Sequence, residues 1–246
     1  MKKIPEITLL FWLMKICATT LGETAGDLLS MTLNVGYAIS TIILMVGFLI
    51  TLLGQLSLKK YMTVIYWLVI LSTSTAGTTL SDFMDRTLGL GYATGSLILI
   101  SVLLMTLFIW YKLEKSLSVS DIKTKRGELF YWAAILVSNT LGTALGDYLA
   151  DDSGLGFSGG ALLIGSLLLI TVLAYYFTKI SRVFLFWIAF VLTRPFGATF
   201  GDLLTKSSEK GGLNFGTIGS SAFLFSALIA LVIYTTLVTY TKKTAQ

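Results

Sequence analysis

Apolar residues run through this chain in long blocks, interrupted by short polar segments. Eight blocks reach the length of a bilayer-crossing helix, near residues 8–29, 36–56, 61–82, 91–111, 129–149, 157–178, 183–204 and 216–240. A crossing takes about 20 mostly apolar residues. No alternation of apolar and polar positions over about ten residues suggests a membrane barrel, and open-edged strands cannot sit in lipid. The expected fold is therefore an all-α integral membrane protein with eight transmembrane helices and short loops. The longest polar stretch, Lys112–Glu128, lies at the middle of the chain. It divides an N-terminal half, 1–111, from a C-terminal half, 129–246, with 112–128 as a linker on the cytoplasmic side.

The blocks repeat. Trp12, Trp67, Trp132 and Trp187 each stand ten residues before a glycine (Gly22, Gly77, Gly142, Gly197), and each glycine stands five before an aspartate (Asp27, Asp82, Asp147, Asp202). The segments read GETAGD, GTTLSD, GTALGD and GATFGD, and the tryptophans are 55, 65 and 55 residues apart, the longer interval holding the linker. Each unit is a two-helix hairpin whose second helix opens on glycine and small residues: GYAIST from Gly36, GYATGS from Gly91, GFSGGA from Gly156 and GTIGSS from Gly216. Because each unit has an even number of spans, all hairpins point the same way. They form parallel tandem repeats in a pseudo-fourfold or pseudo-twofold arrangement about the membrane normal. This pattern resembles the bacterial inner-membrane proteins built from four tandem two-helix repeats of unknown function, each with a characteristic tryptophan. The resemblance covers essentially the whole chain. It implies a helical fold in the inner membrane and brings no activity with it.

Composition narrows the chemistry. Only 13% of residues are charged and 55% are hydrophobic, against about 25% charged in a soluble domain. The chain has no histidine and one cysteine, Cys17. That excludes imidazole metal sites, histidine-dependent triads, an internal disulfide and a cysteine-based zinc site. Lys2, Lys3, Lys59, Lys60, Lys112, Lys115, Lys123, Lys125, Arg126, Lys179, Arg182, Lys242 and Lys243 fall on one side of the eight-span scheme, and Arg86, Lys206 and Lys210 on the other. The positive-inside rule then places both termini in the cytoplasm. The net charge of +5 is this topology signal, and no nucleic-acid partner is expected. Lys15, about one turn inside the cytoplasmic boundary, is expected to snorkel. The N-terminal segment superficially resembles a signal peptide, but Lys15 interrupts it, no cleavage site follows, and it matches three later spans.

The repeated segment has two physical readings. The glycine pairs are small-x-x-x-small motifs that let helices approach closely. The aspartates gather polar residues at helical spacing: Glu23, Thr24 and Thr20 before Asp27; Thr79, Thr78 and Thr75 before Asp82; Thr143 and Thr140 before Asp147; Thr199 before Asp202. One position further back stand Thr19, Ser74, Asn139 and Arg194. The stripes end eleven residues before the aspartates at Ile16, Leu71, Leu136 and Val191. A centred, lipid-facing carboxylate costs about 2.5–3.5 kcal/mol, so the stripes are expected to face inward. In the plainer account, the aspartates lie at the water boundary and pair with Arg86 and Lys206. Arg194 requires a partner, with Glu23 and one aspartate as the natural candidates. Pro195 makes helix 7 the candidate moving element.

These residues favour transport of a small hard cation. Asp27, Asp82, Asp147, Asp202 and Glu23 would be its ligands. Thr20, Thr24, Thr75, Thr78, Thr79, Asn139, Thr140, Thr143, Arg194 and Thr199 would line the path. Manganese, magnesium or calcium fits this oxygen-only set better than copper or zinc. Four nearby carboxylates cannot all ionise without a counter-charge, which makes proton exchange a natural drive. The alternatives are a channel or transporter for a small anion or neutral solute centred on Arg194, and a structural or sensory membrane protein. Catalysis is not expected: Gly26, Gly146 and Gly201 precede aspartates, but the Gly-x-Gly-Asp setting of intramembrane aspartyl proteases is missing. No cofactor is called for. The expected partners are the lipid bilayer and a small inorganic ion, with self-association into a homo-oligomer left open.

Overall fold

The computed structural model describes residues 4–122 and 124–244, with the backbone alone at Asp121 and at 239–244. Lys2, Lys3 and Lys123, and the side chains of Lys242 and Lys243, lie outside the described residues, as does their part in the charge asymmetry. Eight long helices form: α1 (Leu9–Asp27), α2 (Tyr37–Ser57), α3 (Thr63–Asp82), α4 (Tyr92–Glu114), α5 (Lys125–Asp147), α6 (Gly156–Phe177), α7 (Arg182–Thr205) and α8 (Gly216–Thr244). No strand occurs among the described residues. Helix α5 begins earlier than its apolar block because Thr124 caps it, accepting a hydrogen bond from Gly127 N at 2.9 Å. This shortens the central linker.

Helices α1, α3 and α5 each end at the repeated aspartate and pass into a five-residue π-helical turn: Leu28–Thr32, Phe83–Thr87 and Tyr148–Asp152. Helix α7 continues past Asp202 to Thr205 without one. The second helices then start on Gly36, Gly91, Gly156 and Gly216, whose φ angles lie between 68° and 80°. A side chain is strained in that region, which is why the repeat keeps glycine there.

The packing is cyclic. Helix α1 contacts α3, α3 contacts α5, α5 contacts α7, and α7 contacts α1 again, closing a ring of first helices. Each second helix packs outside on the first helix of the following unit: α2 on α3, α4 on α5, α6 on α7 and α8 on α1. The two sets differ in kind. The outer helices have mean hydropathy 2.2 and are largely exposed, whereas α3, α5 and α7 have 1.3–1.6 and are largely buried. Seven of the eight helices are long and apolar enough to cross a membrane. The exception is α1, whose Lys15 and Glu23 are both buried in the ring. Its polar residues therefore make no demand on what surrounds the protein.

The small-residue pairs let the ring close. A Cβ on Gly22 would run into the Ser74 side chain, and one on Gly26 would lie 2.9 Å from Thr78 Cβ. The same step recurs around the ring. Gly77 faces Asn139, Gly142 faces Arg194, Gly146 faces Ala198, Gly197 faces Thr19, and Gly201 faces Glu23. Grooves at i and i+4 on one helix thus receive a ridge at the same spacing on the next. Gly77 has little room to give, because a Cβ there would lie 3.0 Å from both Asn139 Cβ and the backbone nitrogen of Thr140. Gly77→Val is expected to destabilise the protein by about 1–3 kcal/mol through overpacking. Gly47→Val, where a Cβ meets nothing within 4 Å, should cost far less. Thermal unfolding in detergent compares the two.

Candidate functional site

Counting back from each aspartate in steps of four gives the interior of the ring. The rows are Asp27, Glu23, Thr19, Lys15, Phe11 on α1; Asp82, Thr78, Ser74, Ile70, Tyr66 on α3; Asp147, Thr143, Asn139, Ile135, Tyr131 on α5; and Asp202, Ala198, Arg194, Phe190, Phe186 on α7. All are buried except Phe186, which is half-buried. The rows stack into layers, because each helix presents the same step to its neighbour.

The first layer holds the aspartates, each at most 4% exposed. Two cations, each four residues after an aspartate, divide them into pairs. Arg86 Nε lies 2.9 Å from Asp82 Oδ1 and its Nη2 lies 3.0 Å from Asp147 Oδ2. Lys206 Nζ lies 2.7 Å from Asp27 Oδ2 and 3.0 Å from Asp202 Oδ1. Arg86 is also flanked by the rings of Tyr37 and Tyr92, at 5.9 and 5.5 Å. Asp82 Oδ2 has no hydrogen-bond partner among the described residues, so a proton or a cation would satisfy it.

The next layers hold Glu23 and Arg194. Arg194 Nη1 donates to Glu23 Oε2 at 3.0 Å and to the Thr19 carbonyl at 3.2 Å. Its Nη2 donates to Thr143 Oγ1 at 2.7 Å, to Thr78 Oγ1, and to the Ser74 carbonyl at 3.4 Å. Thr143 and Thr78 also donate to Glu23 Oε2, at 3.2 and 3.4 Å. One guanidinium therefore touches the other three ring helices and closes the interior at this depth. Deeper still, Lys15 Nζ donates to Asn139 Oδ1 at 3.4 Å and lies 4.1 Å from the centroid of the Phe190 ring. Asn139 Nδ2 donates to Thr73 Oγ1 at 3.0 Å. Aromatic residues seal the far end, where the Tyr66 and Tyr131 hydroxyls meet at 2.6 Å and Trp67 and Trp132 pack beside them.

The structure brings together Asp27, Asp82, Asp147, Asp202, Glu23, Thr78, Asn139, Thr143 and Arg194. It turns the other hydroxyls elsewhere. Thr20, Thr75, Thr79, Thr140 and Thr199 donate to carbonyls of their own helices. Thr24 donates to the Leu21 carbonyl and accepts from Ser221 on α8. The expected stripe included positions three and seven residues before the aspartate, whereas the interior follows steps of four. Four residues rotate a helix about 40° beyond one turn, and the groove-and-ridge packing of the ring follows that drift. For the same reason the interior below the polar layers is Ile70, Ile135 and Phe190, not Ile16, Leu71, Leu136 and Val191, which are half-buried. Lys15 does not snorkel, being 0% exposed. Arg194 pairs with one oxygen of Glu23 and, among the described residues, with no aspartate. Helix α7 runs unbroken through Pro195.

Sequence reasoning missed the inward position of Lys15, the Tyr66–Tyr131 pair and the alternation of the outer cations. The signal for the last was present: the residue four after the aspartate is Met31, Arg86, Asp151 and Lys206 in turn, basic in every second unit. One carboxylate oxygen from each of Glu23, Asp147 and Asp202 lies within 4.8 Å of the others. An ion held at about 2.0–2.6 Å from each oxygen spans up to about 5 Å between them, so three buried groups from three ring helices have the spacing of a hard-cation site.

No curated protein and no solved structure matches the chain. Residues 10–61, 65–116, 130–181 and 185–241 each match one repeat of a single family. The matched segments correspond to the four hairpins, and residues 117–129 fall between the second and third. With the match covering most of its length, the chain belongs to the family described as Repeat of Unknown Function (DUF347).

Proposed function

We propose that this protein is a multi-pass transporter of the cytoplasmic membrane that carries a small hard divalent cation, such as manganese, through the interior of its helix ring. In this reading the four hairpins are parallel and pseudo-fourfold about the membrane normal, both termini are cytoplasmic, and the aspartates face outward. The apolar exposed surface of α2, α4, α6 and α8 meets lipid, since a water-facing protein does not expose apolar surface of that extent. The chain is not an enzyme and needs no cofactor. It uses no nucleic-acid partner.

The observation that carries this reading is the buried cluster of Glu23, Asp147 and Asp202, whose ligand atoms lie within 4.8 Å. The carboxylate and hydroxyl oxygens around it suit manganese, magnesium or calcium. Among the described residues, the five carboxylates of the ring interior face four cations, Arg86, Lys206, Arg194 and Lys15, which leaves room for a proton or a metal charge. The Arg194-centred anion reading is weaker because that guanidinium is already committed to five protein oxygens.

The test is flux. Protein in liposomes, with a pH-sensitive dye inside, should pass Mn²⁺, Mg²⁺ or Ca²⁺ with an opposing proton movement. Asp147→Asn and Asp202→Asn should each reduce that flux at least tenfold while the protein still elutes as folded. Flux at wild-type rates in both variants would end the proposal.

A further inference from the structure

The ring's second helices do not fill their outer seams equally. Nineteen residues after the opening glycine stand Gln55 on α2, Trp110 on α4, Tyr175 on α6 and Thr235 on α8. Gln55 and Trp110 are buried, and Trp110 reaches across to Trp187 on α7, with ring centroids 5.7 Å apart. Tyr175 does not reach inward. It is 48% exposed, and Arg182 holds it by lying 4.2 Å from its ring centroid and donating to its backbone carbonyl. The seam between α7 and α1 is consequently left as a groove of about 710 Å³, walled by side chains such as Ile16, Leu168, Val172 and Ala189.

The groove is apolar along its length and cationic at one end. Arg182 is exposed there, at the first residue of α7, and Lys179 is exposed three residues earlier. No carboxylate lines the groove among the described residues. Neither α1 nor α7 has an acidic residue in its first turn. An apolar trough ending in a guanidinium that has no carboxylate partner among the described residues complements a molecule with a hydrocarbon chain and an anionic head. Arginine matches a phosphate well because its fork donates two hydrogen bonds at once. On the orientation proposed above, this end lies at the cytoplasmic membrane face, where anionic headgroups are found.

We infer that the α1–α6–α7 groove is a binding site for one anionic glycerophospholipid, with an acyl chain along the groove and the phosphate at Arg182. The inference rests on the membrane reading but not on the cation site. The test is native mass spectrometry of the full chain released from detergent. The protein is offered phosphatidylglycerol or phosphatidylcholine with identical acyl chains. Wild type should retain phosphatidylglycerol several-fold more than phosphatidylcholine. Arg182→Gln should remove that preference, and Ala189→Trp, which fills the trough, should remove retention of both lipids. Equal retention by wild type, or an intact preference in Arg182→Gln, would overturn the site. So would a shift from dimer to monomer in Ala189→Trp, because the groove would then hold a second copy. A chain that stays monodisperse without detergent would instead contradict the membrane reading itself.

Discussion

Glu23→Gln is expected to destabilise the helix ring by about 3–5 kcal/mol, because it strands a fully buried guanidinium. Arg194 is 0% exposed, and Glu23 is its only carboxylate partner among the described residues. The hydroxyls of Thr78 and Thr143 cannot substitute for the lost charge, and a buried unpaired ion cannot recover its hydration. The loss is specific to breaking the pair. Glu23→Gln combined with Arg194→Met removes both charges, and methionine fits the irregular space left by the arginine stem against Gly142. The double variant should regain at least half of the stability lost by the single one. Unfolding temperatures of the two single variants and the double variant in one detergent measure the coupling. Additive losses would mean that Arg194 is held by its hydroxyl and carbonyl contacts rather than by Glu23.

Lys206→Gln is expected to tighten divalent-cation binding at least about tenfold, equivalent to about 1.4 kcal/mol. At the proposed site Lys206 would be a built-in competitor: its single ammonium sits between Asp27 and Asp202, within 3.0 Å of both. Removing it returns two carboxylates to the site next to Glu23 and Asp147. A unit charge at contact distance is worth several kcal/mol at the effective dielectric near a protein surface, about 4 kcal/mol at 4 Å. Arg86→Gln removes the matching cation from Asp82 and Asp147. It should cost more stability, because Arg86 also spans two ring helices with a rigid fork and is flanked by Tyr37 and Tyr92. Both variants strand two buried aspartates and should lower the unfolding temperature, Arg86→Gln by the larger amount. Competition of each divalent ion against a fluorescent indicator checks the affinities. Unchanged affinity in Lys206→Gln would remove Lys206 from the cation site.

Much of this architecture was legible in the sequence because the repeat made it redundant. The Trp, Gly and Asp spacings of the four units placed the four repeats and the small-residue contacts, and the glycines do lie where neighbouring helices meet. Less legible was the facing of side chains. An ideal helix read alone puts Glu23, Thr24 and Thr20 with Asp27, but the ring keeps Glu23 and joins to it Thr19 and Lys15, because tightly packed helices follow their every-fourth-residue rows. Lys15 looked like a snorkelling residue only while its helix was considered by itself. The ring buries it beside Asn139, a residue 124 positions away. The outer cations were visible as Arg86 and Lys206, yet their division of the aspartates into two pairs depends on which helices are neighbours. That adjacency is a property of the closed ring and is not written in any single unit.

The central claim is that Glu23, Asp147 and Asp202 together hold a cation, and Mn²⁺ electron paramagnetic resonance tests it most directly. Purified wild-type protein titrated with Mn²⁺ should bind one ion per chain, seen as loss of the free-ion signal, and Asp202→Asn and Asp147→Asn should each abolish most of that binding while remaining folded. Mn²⁺ binding that persists unchanged in both variants, or no binding by wild type or by Lys206→Gln, would contradict it.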